Sequence, residues 1–289
     1  MSYTIVTDSS CNLSAKAIDD YGLEIISLKY FAGDEAFESY TKGVDPDFKA
    51  FYDMARKKEP LSTTLASPEL CEQVFDKVLA TGSDLIYIGF SSGLSGTFQV
   101  ARNILEELKE KYPNQKIYYV DSLAASLGQG LLVHYAVEKK NSGATIEELY
   151  DWLNENRLHL CHWFTVDDLF YLKRGGRVSG AAAVMGTVLS IKPVLHVDDN
   201  GKLIPKSKAI GRKRAIETLV SKMKETAINP EDQIIYISHG DCLEDAEYLA
   251  ELVKKEMNVK EVYIHFIEPV IGCHSGPGTL ALFFMGTHR

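Results

Sequence analysis

The chain of 289 residues holds only five cysteines, Cys11, Cys71, Cys161, Cys242 and Cys273. Their number is odd and no two stand as C-x-x-C, which argues against a disulfide framework and a structural zinc site. A reducing cytoplasm suits such a chain. Long apolar runs are equally scarce. The first residues, MSYTIVTDSS, offer neither a basic flank nor an apolar stretch of signal-peptide length. Leu280–Met285 is far too short to cross a bilayer. Positive charge is in deficit, with 31 Lys and Arg against 40 Asp and Glu, a net −9. Binding to nucleic-acid phosphates needs a cationic face, so it is not expected here. Docking on anionic membrane by bulk charge is excluded in the same way. His159 and His162 do not read as a metal pair, because their spacing puts them on opposite faces of a strand. What remains is ordinary globular composition, 45% hydrophobic and 25% charged. It is long enough to bury a core without staples.

Strands and helices alternate through the first half. The β-branched run Tyr3–Thr7 ends at Asp8-Ser9-Ser10, and Leu23–Phe31 reads as a second strand. Asp45-Pro46 starts a helix with proline at its first position, reaching about Lys58. Ser67-Pro68-Glu69 starts another, to about Ala80. Leu85–Phe90 is apolar almost throughout, as a parallel strand covered on both faces should be. A helix over Thr97–Tyr112, a strand over Lys116–Val120, and helices over Leu123–Lys140 and Thr145–Asn156 complete the pattern. It predicts a parallel sheet with crossover helices. Beyond Arg157 come a strand over Leu158–Val166, a short helix over Asp167–Leu172, the break Arg174-Gly175-Gly176-Arg177 and the small-residue stretch Ser179–Met185. Asn200-Gly201 between Pro193–Val197 and Leu203–Ala209 predicts a hairpin. Helix Arg212–Thr226, strand Gln233–Ser238, helix Leu243–Met257, strand Glu261–Ile267 and the glycine-rich turn Gly272–Gly278 follow. The expectation is two α/β domains, residues 1–157 and 158–289, with mainly parallel sheets.

Ligands of open α/β sheets sit at strand ends. Four strand ends are polar: Asp8-Ser9-Ser10, Ser91–Thr97, Asp121-Ser122 and Ser238–Asp241. Ser91–Thr97 is the most informative. Its two glycines allow close backbone approach, and its three serines and one threonine supply donors. The helix that follows adds free N–H groups and a positive dipole end. Together these make an anion site. No Gly-Lys-Ser/Thr follows, so the turn is not a phosphate loop for a nucleotide. A single small anion such as a carboxylate fits better. Helix capping by Ser95 or Thr97 is the plain alternative and is compatible with it. A second hydroxyl cluster, Ser62-Thr63-Thr64, precedes Ser67, the expected cap of the helix begun by Pro68.

In order and spacing, Thr7–Ser10, Thr63–Pro68, Ser91–Thr97, Asp121-Ser122, Leu172–Arg177, Ile191–Val194 and Ile271–Gly278 resemble the DegV family, including its fatty-acid-binding, FakB-type members. The likeness covers Tyr3 to about Met285. It implies a DegV fold: two α/β domains with a long-chain fatty acid in an apolar tunnel between them, its carboxylate held by hydroxyls. Carried over by motif position, Thr63 and Ser95 bind the carboxylate, with Thr64 beside them and His274 near the head group. Arg174 and Arg177 would face a partner, a separate ATP-dependent fatty acid kinase of the FakA type that makes an acyl phosphate. The protein itself would then be no enzyme, would serve phospholipid metabolism and would need no cofactor or metal. The loop departs from the commoner family pattern Thr-Ser-Gln-Pro-Ser-Pro, with Leu65 for an amide and Ala66 for a proline. That bears on the loop's conformation and on chain selectivity.

Physical expectations run alongside. A buried carboxylate is costly unless hydrogen-bonded, and the tail should supply most of the affinity, at about 0.8 kcal/mol per buried methylene. Wall candidates are Phe90, Leu94, Leu127, Phe164 and Ala181–Val188. Two other functions compete. One is an α/β hydrolase using a serine of Ser91–Thr97, although no G-x-S-x-G elbow is present. The other is an interaction module without lipid. Cys273-His274 invites a nucleophilic dyad, which adjacent residues rarely form.

Overall fold

The computed structural model describes residues 2–178 and 190–289; the proposed wall segment Ala181–Val188 lies outside them. In the first half run β1 (Tyr3–Asp8), β2 (Glu24–Ile26), β3 (Lys29–Ala32), β4 (Glu35–Glu38), β5 (Leu61–Thr63), β6 (Asp84–Gly89) and β7 (Ile117–Asp121). Their helices are α1 (Ala15–Tyr21), α2 (Phe48–Arg56), α3 (Pro68–Leu79), α4 (Thr97–Lys111), α5 (Leu127–Asn141) and α6 (Ile146–Asn156). The second half holds β8 (Leu160–Thr165), α7 (Leu169–Arg174), β9 (Ile191–Val197), β10 (Leu203–Ile210), α8 (Arg212–Thr226), β11 (Ile234–His239), α9 (Leu243–Met257), β12 (Glu261–Phe266), α10 (Pro269–Ser275) and β13 (Leu280–Met285).

Three sheets result. The order β2-β1-β6-β7 is parallel throughout, as expected. A small antiparallel sheet, β4-β3-β5, carries Thr63 at its end. The third runs β10-β9-β8-β13-β11-β12, and only its β11–β12 pairing is parallel. The α/β class holds, but "mainly parallel" fails for this sheet. The reason is Leu280–Met285. It is not followed by a crossover helix but inserts as a fully paired antiparallel strand between β8 and β11.

Helix α5 explains how the halves meet. Its sequence, LGQGLLVHYA at the start, is apolar or small nearly all round, and Leu127–His134 is buried without a break. Such a helix has no solvent face and must be covered on several sides. It lies against β6 of the first sheet and β8, β11 and β13 of the third. One apolar cluster accordingly joins Ile86, Ile88 and Leu131 to Phe164, Leu195 and Phe283. Gly128 and Gly130 permit the approach. A side-chain carbon at Gly130 would lie 2.4 Å from the Cys11 carbonyl oxygen. Leu127, a wall candidate, belongs to this core.

Local chemistry sets the helix starts. Ser67 caps α3 ahead of Pro68, and Thr145 with Glu148 forms a reciprocal capping box on α6. Helix α2 differs from expectation. Asp47, not Asp45, is its cap, so Pro46 lies before the helix. The Asp45 carboxylate instead accepts the Ala15 N–H at 2.7 Å.

Candidate binding site

Packing of the two halves leaves a cavity of about 340 Å³, walled by β13, β8, the Ser91–Thr97 turn, the Thr63–Leu65 loop and α10. The size falls in the range of small-molecule sites. Apolar residues dominate its walls, among them Phe90, Leu94, Leu172, Val197, Ile267 and Phe283. Of the candidates named from sequence, Phe90, Leu94 and Phe164 line it and Leu127 does not.

Thr63, Thr64, Ser95, Arg177 and His274 all line the cavity, drawn from four separate segments. Thr63 Oγ1 lies 2.8 Å from His274 Nε2. Ser95 Oγ accepts the N–H of Thr97 at 3.2 Å and donates to Thr97 Oγ1 at 3.1 Å. Thr97 Oγ1 in turn accepts the Ala66 N–H at 3.3 Å, tying the two hydroxyl-bearing loops together. The formal cap of α4 is Gly96, which makes no side-chain bond. Ser95 therefore reaches the helix start from one residue further out.

His274 is fixed from both ends of α10. Buried Glu268 caps that helix, accepting the N–H groups of Val270 at 2.7 Å and Ile271 at 2.8 Å. Burial raises the Glu268 carboxyl to about 7. The segment expected as a turn from Gly272 is thus helical to Ser275. Burial, then the positive charges of Arg177 and Arg174, hold the His274 imidazole down at about 4. It is neutral at pH 7 and can donate one N–H. Gly175 lies against the ring: a side-chain carbon there would fall 2.4 Å from Nδ1.

The two arginines part company. Arg177 lies in the cavity wall, and its Nε donates to the Leu94 carbonyl at 3.3 Å. Arg174 stays exposed, over the Tyr171 ring at 5.1 Å.

The other polar strand ends sort into structural and lining groups. Asp8 accepts from Tyr87 Oη at 2.8 Å, Phe90 N–H at 2.9 Å, Ser10 N–H at 3.2 Å and Gln129 Nε2 at 3.3 Å. It is a buried clamp, and burial pushes its carboxyl up. Asp121 accepts the N–H groups of Ser92 and Leu123. Ser91 donates to the Gly201 carbonyl at the hairpin tip, at 2.8 Å. Neither Ser91 nor Ser92 reaches the cavity, and Ser95 has no histidine partner among the described residues. A Ser-His arrangement for ester hydrolysis is not assembled there. Cys273 and His274 do not pair either: the thiol faces the Ser62 carbonyl and the ring faces Thr63.

Sequence reading did not pick out Ser126 or His162 as lining residues and held Ser238 and Ser275 only within a polar strand end and a motif; all four line the cavity. Ser275 Oγ has no hydrogen-bond partner among the described residues. Its position directly after His274 was the available signal. Ser126 and His162 carry no local motif.

Fold and site together define an α/β protein with a largely apolar cavity between its two halves and a hydroxyl-rich pole that includes Arg177. The chain belongs to the DegV family: the family model described as "Uncharacterised protein, DegV family" matches residues 2–287. It is 43% identical over 286 residues to a DegV domain-containing protein of Clostridium perfringens, covering 98% of this chain and 97% of that one. Among solved structures it is similar to a DegV family protein of Thermus thermophilus described for fatty acid binding, with TM-score 0.89, 27% identity and coverage of 99% and 100%. Similar again is DegV of Bacillus subtilis, described as a fatty acid binding protein, with TM-score 0.84, 29% identity and coverage of 99% and 100%. No helix among the described residues is long and apolar enough to cross a membrane.

Proposed function

We propose that this protein binds a long-chain fatty acid and presents its carboxylate to an ATP-dependent fatty acid kinase of the FakA type, without catalysing a reaction itself. The observation that carries this reading is a cavity with mostly apolar walls that gathers hydroxyl, imidazole and guanidinium groups at one pole. Thr63 and Ser95 hydroxyls, the neutral His274 ring and the Arg177 guanidinium converge there. Arg177 thus moves from the expected docking face to the carboxylate, while exposed Arg174 keeps the docking role. The fatty-acid-binding relatives of Thermus thermophilus and Bacillus subtilis align over essentially the whole chain, which supports the same ligand class.

Charge-assisted hydrogen bonds contribute roughly 1.5–3 kcal/mol each. Thr63→Ala with Ser95→Ala should therefore weaken fatty-acid binding about a hundredfold or more, with an unchanged circular dichroism spectrum. Mass spectrometry of an organic extract of the purified protein should first show a bound fatty acid. No lipid in the extract and no binding of added oleic acid would remove the proposal. Arg174→Ala should retain the fatty acid yet slow acyl phosphate formation when kinase and ATP are added; a normal rate would separate Arg174 from docking.

A further inference from the structure

Away from the head pole the cavity wall is polar again. Ser126 and Ser238 both line it, both are buried, and their hydroxyl oxygens lie 2.9 Å apart. Ser126 is the N-cap residue of α5 but makes no capping bond. Its φ of 57° is rare for a residue with a side chain, and its hydroxyl is turned to Ser238. His162 also lines the cavity, is 1% exposed, and neither ring nitrogen has a hydrogen-bond partner among the described residues. An unpaired buried polar side chain is costly and calls for an explanation.

Strand register orders these groups along the cavity. Thr279, bonded to the Ser275 carbonyl at 2.8 Å, marks the head end. Along β13, Ala281 stands beside both Phe164 and Ser238, and Phe283 beside His162. Residues two apart in a strand share a face, so Ser238 and His162 look into the same tunnel. From Leu280 to Phe283 is roughly 10 Å at about 3.3 Å per residue. An acyl chain with its carboxylate at Thr63 and His274 would meet Ala281, Phe164 and the serine pair at one level and the histidine two residues further along β13.

Resting on the fatty-acid reading above, we infer that Ser126, Ser238 and His162 form a mid-chain station for a hydroxyl group, so that the tunnel accepts hydroxylated long-chain fatty acids. The chemistry matches. One serine O–H is shared within the pair and the other is free to donate. Burial, then the nearby charge of Arg289 and the ring of His196, keep His162 neutral. A neutral imidazole has one donor and one acceptor nitrogen. A guest hydroxyl, itself donor and acceptor, can accept the free serine O–H and pair with one ring nitrogen of His162.

Oleic acid and ricinoleic acid, its hydroxylated counterpart, test this. A wholly apolar tunnel would disfavour the buried hydroxyl by tenfold or more. Titration calorimetry should instead show ricinoleic acid binding at least as tightly as oleic acid. In Ser126→Ala with Ser238→Ala, and separately in His162→Leu, the ratio should swing at least tenfold towards oleic acid. Wild-type protein that rejects ricinoleic acid tenfold, or a ratio unchanged in both variants, would overturn the station while leaving the fatty-acid reading intact. If neither acid binds, both readings are overturned.

Discussion

At the residue scale the pole depends on a contact that no side chain at position 175 could permit. Gly175 leaves the His274 ring room to stand against Thr63. Gly175→Ala should push the imidazole off the Thr63 hydroxyl and weaken fatty-acid binding about tenfold, the loss of one hydrogen bond to a charged ligand. The neighbour is a control. Gly176 has a φ of 71° with open space where a side chain would go. Gly176→Ala should cost roughly 1 kcal/mol of stability with affinity unchanged. Equal affinity for the Gly175 variant, measured by calorimetry, would show that the histidine position does not matter. Residue roles were unevenly legible beforehand. Thr63, Ser95 and His274 were named through the resemblance to the DegV family, while the residues themselves pointed only to the Ser91–Thr97 turn as a small-anion site. Ser126 and His162 could not be read as site residues, and Ser238 stood out only as part of a polar strand end, because only the packing of α5 across an antiparallel sheet brings the three to one wall.

At the scale of elements, legibility followed local chemistry. Helices with side-chain caps, α3 and α6, begin where sequence places them. The hairpin β9–β10 turns at Asn200-Gly201 as expected, and Gly201 has a φ of 71°. Short and fully buried elements escaped. Leu23–Phe31 is not one strand: β2 pairs with β1, whereas β3 joins β5 in another sheet. Strand β13 was invisible because a six-residue apolar run has no period to declare it. Missing that strand hid the two antiparallel pairings it makes with β8 and β11. Strand β5 has three residues and a Ser-Thr end, so nothing local sets it apart from the loop.

For the whole molecule, two sheets share one core, and this bears on how it unfolds. Trp152 lies in α6 and Trp163 in β8, one in each half. With only two tryptophans in the chain, Trp152→Phe and Trp163→Phe each leave one reporter. Because α5 and its cluster bind the halves together, urea unfolding of the two variants should give coincident fluorescence and circular dichroism transitions. Within each variant, separated midpoints would show that the halves melt as independent domains.

The cavity's only exposed lining residues among those described are Thr64 and Leu65, beside the polar pole. Most of the other lining residues are buried between both halves. A ligand seated head-outward there can have its carboxylate chemically altered while its hydrocarbon stays dry. Exchange must then be slow compared with transfer at the head, since leaving requires the whole tail to be drawn past the loop. Residence time, rather than affinity alone, becomes the property that keeps a detergent-like molecule from escaping into bulk water between one partner and the next.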